Sequence, residues 1–114
     1  MKLRISKWMA ILLGLLVMLS AAAVSAEDLE NGKILLDRAT VGLFNESLSR
    51  SALRELLDRS LESFSRVQDQ CERDYWQAQV FYLYGFVEQG ADRSKEAEKR
   101  FTRGFELAES SLSC

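Results

Sequence analysis

Two cysteines, Cys71 and Cys114, carry the most distinctive covalent chemistry in this sequence of 114 residues. They are too far apart along the chain to form the CxxC pattern of thiol–disulfide exchange proteins. An even number of cysteines is typical of a structural disulfide in an exported protein, and two cysteines allow one intramolecular pairing. We therefore predict a Cys71–Cys114 bridge. Two free thiols, or a bridge between chains, are the alternatives.

The other side chains offer little that could catalyse a reaction. Histidine, the most common general base and metal ligand, is absent, which excludes Ser–His and Cys–His nucleophile pairs. The glycines are scattered, so they form no phosphate-binding loop, and most carboxylates are expected on hydrated helix faces. Glu88 is the exception, because its neighbours are aromatic; the alternative is a helix-end carboxylate that reaches water or Arg93. We predict a protein that is not an enzyme and uses no cofactor or metal.

The first 26 residues have the pattern of a cleavable secretory signal peptide. Three basic residues precede an uncharged, mostly apolar run, which ends in Val24-Ser25-Ala26. The run is almost long enough to span a bilayer, so an uncleaved anchor is the alternative, although its alanine-rich second half suits cleavage better. We expect an exported protein, periplasmic or secreted, that starts near Glu27 and has no membrane anchor after cleavage.

The predicted mature part, residues 27–114, is acidic. The whole chain has a net charge of −2, and the leader holds three of its basic residues and no acidic ones, which leaves −5. Phosphate binding needs clustered lysine and arginine, so we expect no nucleic-acid partner. The length predicts one small domain, which a disulfide or association with other chains would help to stabilise.

Apolar residues recur at helical spacing in this part, without proline and without the alternation of a strand. The pattern predicts an all-α fold of four helices in two antiparallel hairpins, with helices near 28–45, 51–70, 72–89 and 94–112. The second helix is the clearest, because one stripe is apolar and the opposite side is charged. That stripe comprises Leu53, Leu56, Leu57, Leu61, Phe64 and Val67.

The first helix and the turns give weaker signals. One predicted face of the first helix comprises Leu29, Leu36, Thr40, Leu43 and Phe44, and Ile34, Val41 and Leu48 recur every seven residues on another side. Two glycines weaken this helix, each by about 1 kcal/mol relative to alanine. The serines after Asn45 are expected to cap the second helix, Gly90 to adopt the left-handed conformation and Ser94 to cap the fourth helix.

The third helix is apolar on nearly every side. Its aromatic and aliphatic residues fall on three faces, so it must be covered on several sides or leave one side for a partner. Cys71 precedes this helix and Cys114 follows the next one. The two arms from a turn near Asp92 are almost equal in length, so an antiparallel hairpin would bring the sulfurs to the same level.

Small and large residues alternate at fixed positions across the last two helices, which would let the helices pack closely. The small positions are Gly85, Ala97 and Gly104, and the aromatic positions are Phe81 and Phe101. In this pattern residues 78–111 resemble a tetratricopeptide repeat, a helix–turn–helix unit of about 34 residues. Glu88 and Glu109 depart from the pattern, where an aromatic residue and a proline are usual. The resemblance implies right-handed stacking of the hairpins.

The resemblance also implies a binding surface. Tetratricopeptide units bind other proteins through a concave surface made by their first helices, which here places the groove at Gln79, Tyr82, Leu83, Phe86 and Gln89. We therefore predict an interaction module that binds another protein or peptide. The alternatives are a structural subunit that assembles with itself through the aromatic helix, a small-molecule-binding protein, and plain core packing of Tyr82, Leu83 and Phe86.

Overall fold

The computed structural model describes residues 26–114, which form four helices and no strand, so the all-α prediction is confirmed. Helix α1 covers the described residues 26–44, α2 is Arg50–Ser65, α3 is Gln70–Gly90 and α4 is Ser94–Leu112. The predicted signal peptide lies outside the described residues, apart from Ala26, which is helical. None of the described helices is both long enough and apolar enough to cross a membrane.

Contacts between successive helices pair residues in reverse order, so each helix runs opposite to the one before it. The pairs are Asp28–Arg66 and Gly32–Ser60 for α1 and α2, Arg54–Glu88 and Phe64–Trp76 for α2 and α3, and Asp74–Ser110 and Gly85–Phe101 for α3 and α4. Helix α1 also contacts α3, because the Lys33 ammonium lies over the Trp76 ring. The right-handed stacking of two hairpins stays a prediction.

The core lies where α1, α2 and α3 meet. The predicted stripe of α2 supplies Leu53, Leu57 and Phe64, all buried, while Leu56 and Leu61 pack against the core from its edge. Helix α3 contributes Val80, Tyr84 and Val87 on the opposite side of the same cluster. Helix α3 is apolar on nearly every side because several helices cover it. Helix α2 packs against one side, and α4 covers another through Gly104 and Phe101.

Two of the three turn predictions are wrong. Ser49 does cap α2, since its hydroxyl accepts a hydrogen bond from the Ala52 amide at 3.1 Å. Gly90, however, is the last residue of α3, and Asp92 adopts the left-handed conformation with φ of 57°. Ser94 is the first residue of α4 rather than its cap, and the preceding Arg93 makes no capping hydrogen bond through its side chain. The three residues 91–93 thus form the turn between α3 and α4.

The boundary between α2 and α3 is also earlier than the apolar spacing indicated. Helix α2 ends at Ser65 instead of continuing to Gln70, and Val67 is buried in the turn that follows. The Asp69 side chain accepts a hydrogen bond from the Cys71 amide and caps α3. Val67 fits the apolar stripe of α2 by spacing alone, but it reaches the core from the turn.

Candidate functional site

A groove of about 430 Å³ lies between α1 and α3. None of its lining side chains is charged. Helix α1 contributes Leu36 and Thr40, and α3 contributes Tyr75, Trp76, Gln79, Tyr82, Leu83 and Phe86. Four of the eight are aromatic, so the groove offers ring faces together with a few hydroxyl and amide groups.

The structure places four of the five predicted groove residues here, namely Gln79, Tyr82, Leu83 and Phe86. Gln89 is exposed near the end of α3 and is not among the lining residues. The four residues are not equally accessible to a partner. Phe86 is 49% exposed, whereas Leu83 packs against the core cluster, which makes Phe86 the better candidate for a contact with a partner.

Sequence reasoning missed half of the groove. Tyr75 and Trp76 belong to α3 and lie one turn before Gln79, so the aromatic pattern could have included them. Leu36 and Thr40 carried no such signal, because their place in the groove depends on the packing of α1 beside α3. The Thr40 hydroxyl donates a hydrogen bond to the Leu36 carbonyl at 2.8 Å and is therefore already engaged within the helix.

Trp76 forms the fixed part of the groove. Its ring stacks on the buried Phe64 at 5.6 Å between centroids, and the Tyr75 ring meets it edge-on at 5.1 Å. The Lys33 ammonium lies 4.9 Å from the centre of the Trp76 ring, which is within the range of a cation–π contact. Trp76 is thus held from three directions, and Lys33 brings a positive charge next to the groove.

Close packing between α3 and α4 supports the far wall of the groove. Gly85 lies directly under the Phe101 ring, and a Cβ atom at this position would overlap that ring. Phe101 in turn meets Phe86 edge-on, with 5.3 Å between ring centroids. A Cβ atom at Gly104 would lie 3.2 Å from the Tyr82 ring, so this second small residue also allows a close approach. At Gly85 and Gly104 the small residues therefore allow the close packing that the sequence pattern indicated.

Glu88 holds the junction of α2, α3 and the turn before α4. It is only 4% exposed, and its carboxylate binds the Arg54 guanidinium at 2.7 Å and the Arg93 guanidinium at 2.8 Å. The hydrogen bond from Arg54, assisted by the charges of Arg54, Arg93 and Arg100, lowers the pKa of Glu88 below its ordinary value against the opposing effect of burial. The same hydrogen bond raises the pKa of Arg54. The Arg93 partner matches one alternative from the sequence, and Arg54 was missed because it lies on another helix.

This carboxylate makes a testable contribution to stability. Glu88→Gln leaves two guanidinium groups without their counter-charge, and we expect it to lower the free energy of unfolding at pH 7 by about 1–3 kcal/mol. Because the pKa of Glu88 is lower in the folded state, its contribution is complete above an unfolded pKa of about 4.3 and is lost as the pH falls through the folded value. The variant should therefore show a weaker loss of stability on acidification.

Urea denaturation at a series of pH values measures this difference. Glu106→Gln is the matched control, because Glu106 is exposed and pairs with Arg103 at 3.3 Å on the surface of α4. A surface pair contributes little, so the control should follow the wild-type curve. Parallel curves for Glu88→Gln and the wild type would contradict the role assigned to Glu88.

The predicted cysteine pair lies at the open end of the α3–α4 hairpin. Cys71 and Cys114 lie at disulfide-bonding distance, with their Cα atoms 6.2 Å apart. Beside them the Ser110 hydroxyl donates a hydrogen bond to the Asp74 carboxylate at 2.7 Å, so two links join the start of α3 to the end of α4. Within residues 26–114, no three histidine, cysteine, aspartate or glutamate side chains come together as a metal site would require.

These features define an all-α protein with an uncharged aromatic groove and a cysteine pair at disulfide-bonding distance across one hairpin. No family model, no curated protein and no solved structure matches the chain. The resemblance to a tetratricopeptide repeat therefore rests on the residue pattern and on the close packing at Gly85 and Gly104.

Proposed function

We propose that this protein is an exported interaction module without enzymatic activity, which binds a segment of another protein in the groove between α1 and α3. The observation that carries the proposal is the groove itself, where four residues chosen from the sequence lie together with two residues of α1. In a tetratricopeptide-like arrangement α1 and α3 are the first helices of two units, and such helices line the concave binding surface.

The chemistry of the groove favours a peptide segment with apolar side chains. Its walls are aromatic and uncharged, so they can bury a partner's apolar side chain without leaving a charge unpaired. The Gln79 amide and the hydroxyl groups of Tyr75 and Tyr82 can exchange hydrogen bonds with a peptide backbone. Aromatic anchors combined with a few polar groups are typical of surfaces that hold peptides.

The predicted leader and the cysteine pair both support the proposal that the protein is exported. A disulfide persists in an oxidising compartment such as the periplasm or the extracellular space, and it is rare in the cytosol. The pairing of Cys71 with Cys114 is therefore compatible with the exported mature chain that residues 1–26 predict. The partner, on this proposal, is met outside the cytoplasm.

A small organic ligand is the second candidate occupant. The groove volume of about 430 Å³ lies within the range of about 300–1,000 Å³ that ligand pockets occupy. An aromatic lining suits a flat apolar molecule equally well. Native mass spectrometry of the purified protein distinguishes the two, because a retained small ligand would add a fixed mass to the chain.

Selection from a displayed random peptide library tests the proposal. We expect enriched peptides that bind the wild-type protein and share an apolar anchor residue. Phe86→Ala should weaken their binding at least about tenfold, because it removes one of the two half-exposed rings of the groove. Lys99→Ala, on the exposed side of α4, should leave binding unchanged.

Two further results bear on this experiment. The melting temperature of Phe86→Ala should stay near that of the wild type, because half of this side chain is already exposed. Enriched peptides that bind Phe86→Ala and the wild type equally would contradict a groove at this site. Failure to enrich any peptide, together with a small molecule retained in native mass spectrometry, would favour the second candidate.

A further inference from the structure

Helix α1 presents an exposed apolar strip on the side away from its core residues. Ile34 is 44% exposed and Val41 is 49% exposed, although both are large and apolar. They lie about two turns apart, nearly opposite the core residue Leu36 around the helix. Ile34 also lines a cleft of about 520 Å³ between α1 and α2. The strip therefore borders a concave surface that the four described helices leave uncovered.

The same cleft is rich in arginine. Arg38 of α1, Arg59 of α2 and Arg66, which directly follows α2, all line it. Arg66 is neutralised, because it pairs with Asp28 at 3.0 Å and with Glu62 at 3.3 Å. Arg38 and Arg59 make no ion pair with any residue in 26–114. The cleft and the apolar strip beside it thus combine exposed apolar residues with two positive charges that make no ion pair within residues 26–114, in a chain that is acidic as a whole.

Helix α4 presents a surface of the opposite charge. Glu98, Phe101, Phe105, Glu109 and Leu112 follow one another at spacings of three and four residues and therefore form one stripe along the helix. Phe105 is 61% exposed and Leu112 is 84% exposed. Glu98 and Glu109 are exposed, and neither pairs with a basic residue of the described part of the chain.

We propose that these two surfaces bind each other between copies of the chain, so that the α4 stripe of one copy lies in the α1–α2 cleft of the next. Apolar residues would meet apolar residues, with Phe105 and Leu112 against Ile34 and Val41. The carboxylates of the stripe would supply the counter-charge that the cleft lacks.

This contact joins two different surfaces, which has a consequence for the assembly. Each copy retains one unused surface after binding, so the contact continues from copy to copy and produces a row or a ring rather than a closed dimer. Since α1 and α4 are the first and last described helices, the row extends the helix stack of a single chain. The stripe reaches the wall of the α1–α3 groove at Phe101, whose ring meets Phe86, so self-assembly and the proposed peptide binding are measured separately.

Charge reversal tests the contact directly. The cleft variant is Arg38→Glu with Arg59→Glu, and the stripe variant is Glu98→Arg with Glu109→Arg. We expect the wild-type chain, recovered from cells that express the full sequence, to form masses above the monomer in a concentration-dependent manner by analytical ultracentrifugation. Each variant alone should assemble at least about tenfold more weakly, because like charges then face each other.

Mixing the two variants provides the decisive measurement. An acidic cleft then meets a basic stripe, and a basic cleft meets an acidic stripe, so assembly should return to near the wild-type level. Lys99→Glu with Arg103→Glu is the control, since it changes the net charge as much as the cleft variant does but lies outside the stripe. It should assemble like the wild type. Circular dichroism should show the same helix content for all four proteins.

Three results would overturn the proposal. The wild-type chain could be monomeric at every concentration, each variant could assemble as well as the wild type, or the mixture could stay monomeric. Assembly that survives both charge reversals but is lost in Phe86→Ala would assign the self-contact to the α1–α3 groove instead. Peptide binding in that groove is measured separately, so failure here leaves that test intact.

Discussion

Replacing Phe64 by alanine should lower the free energy of unfolding by about 3–5 kcal/mol, as expected for the loss of a large buried ring. Phe64 is 0% exposed and lies at the centre of the core. Its ring stacks on Trp76 of α3, and on another side it lies against the backbone of α1 at Gly32, where a Cβ atom would be only 2.5 Å away. One side chain of α2 thus joins three helices, and its loss leaves a cavity between them.

Urea denaturation followed by circular dichroism measures this loss. Phe44→Ala is the matched control, because it removes the same ring from a position that is 73% exposed, and it should change the free energy by about 0.5 kcal/mol or less. A loss below about 1 kcal/mol for Phe64→Ala would mean that the three helices close around the cavity. The contribution to stability assigned to the Phe64 ring would then be wrong.

The second helix was predictable because its fold depends on local periodicity. Its buried residues Leu53, Leu57, Ser60 and Phe64 recur at spacings of three and four, and the charged side faces outward. One face of α1 was less predictable. Leu29, Leu36 and Leu43 do pack at the core, but Phe44 fits the same face by spacing and is exposed, because α1 ends there and the chain turns away.

Gly32 of α1 shows a second reason why helix propensity alone predicts the structure poorly. Gly32 weakens the helix when it is considered alone, yet the Phe64 ring occupies the space that a side chain would fill. The contact is formed by a residue of another helix, so no local pattern around Gly32 indicates it. The loss of helix propensity, about 1 kcal/mol, is small compared with what the buried ring contributes.

Only the wall of the groove that α3 forms could be predicted from the sequence. Gln79, Tyr82 and Phe86 share a face of α3 because they follow its period, and the resemblance to a repeat placed that face in the groove. The opposite wall comes from α1, more than 30 positions earlier, and depends on how the helices pack. Glu88 illustrates the same point, since its partner Arg54 lies on α2.

The strongest remaining prediction concerns the bridge between Cys71 and Cys114. The double variant Cys71→Ser with Cys114→Ser should lower the free energy of unfolding by up to about 4 kcal/mol, which the chain-entropy account gives for a closed loop of 43 residues. The double variant avoids leaving one free thiol. A domain of this size has a total stability of about 5–15 kcal/mol, so the expected loss is a large part of it.

The loss of stability in the double cysteine variant should be concentrated where the start of α3 meets the end of α4. Without the bridge, the hydrogen bond between Ser110 and Asp74 is the link that remains beside it, so the start of α3 and the end of α4 should fray first. Hydrogen exchange should therefore accelerate near residues 71–75 and 109–113, and it should change little around the core residue Leu57. Uniform acceleration along all four described helices would contradict a local link and indicate global destabilisation.

Thiol titration of the unreduced protein comes before these measurements. No free thiol should be found in the native or the denatured protein, and the chain should migrate as a monomer in denaturing gels without reductant. Two free thiols per chain, or a covalent dimer, would refute the intramolecular bridge. A covalent dimer would also differ from the head-to-tail contact between α4 and the α1–α2 cleft, because that contact involves neither cysteine and should persist in reductant.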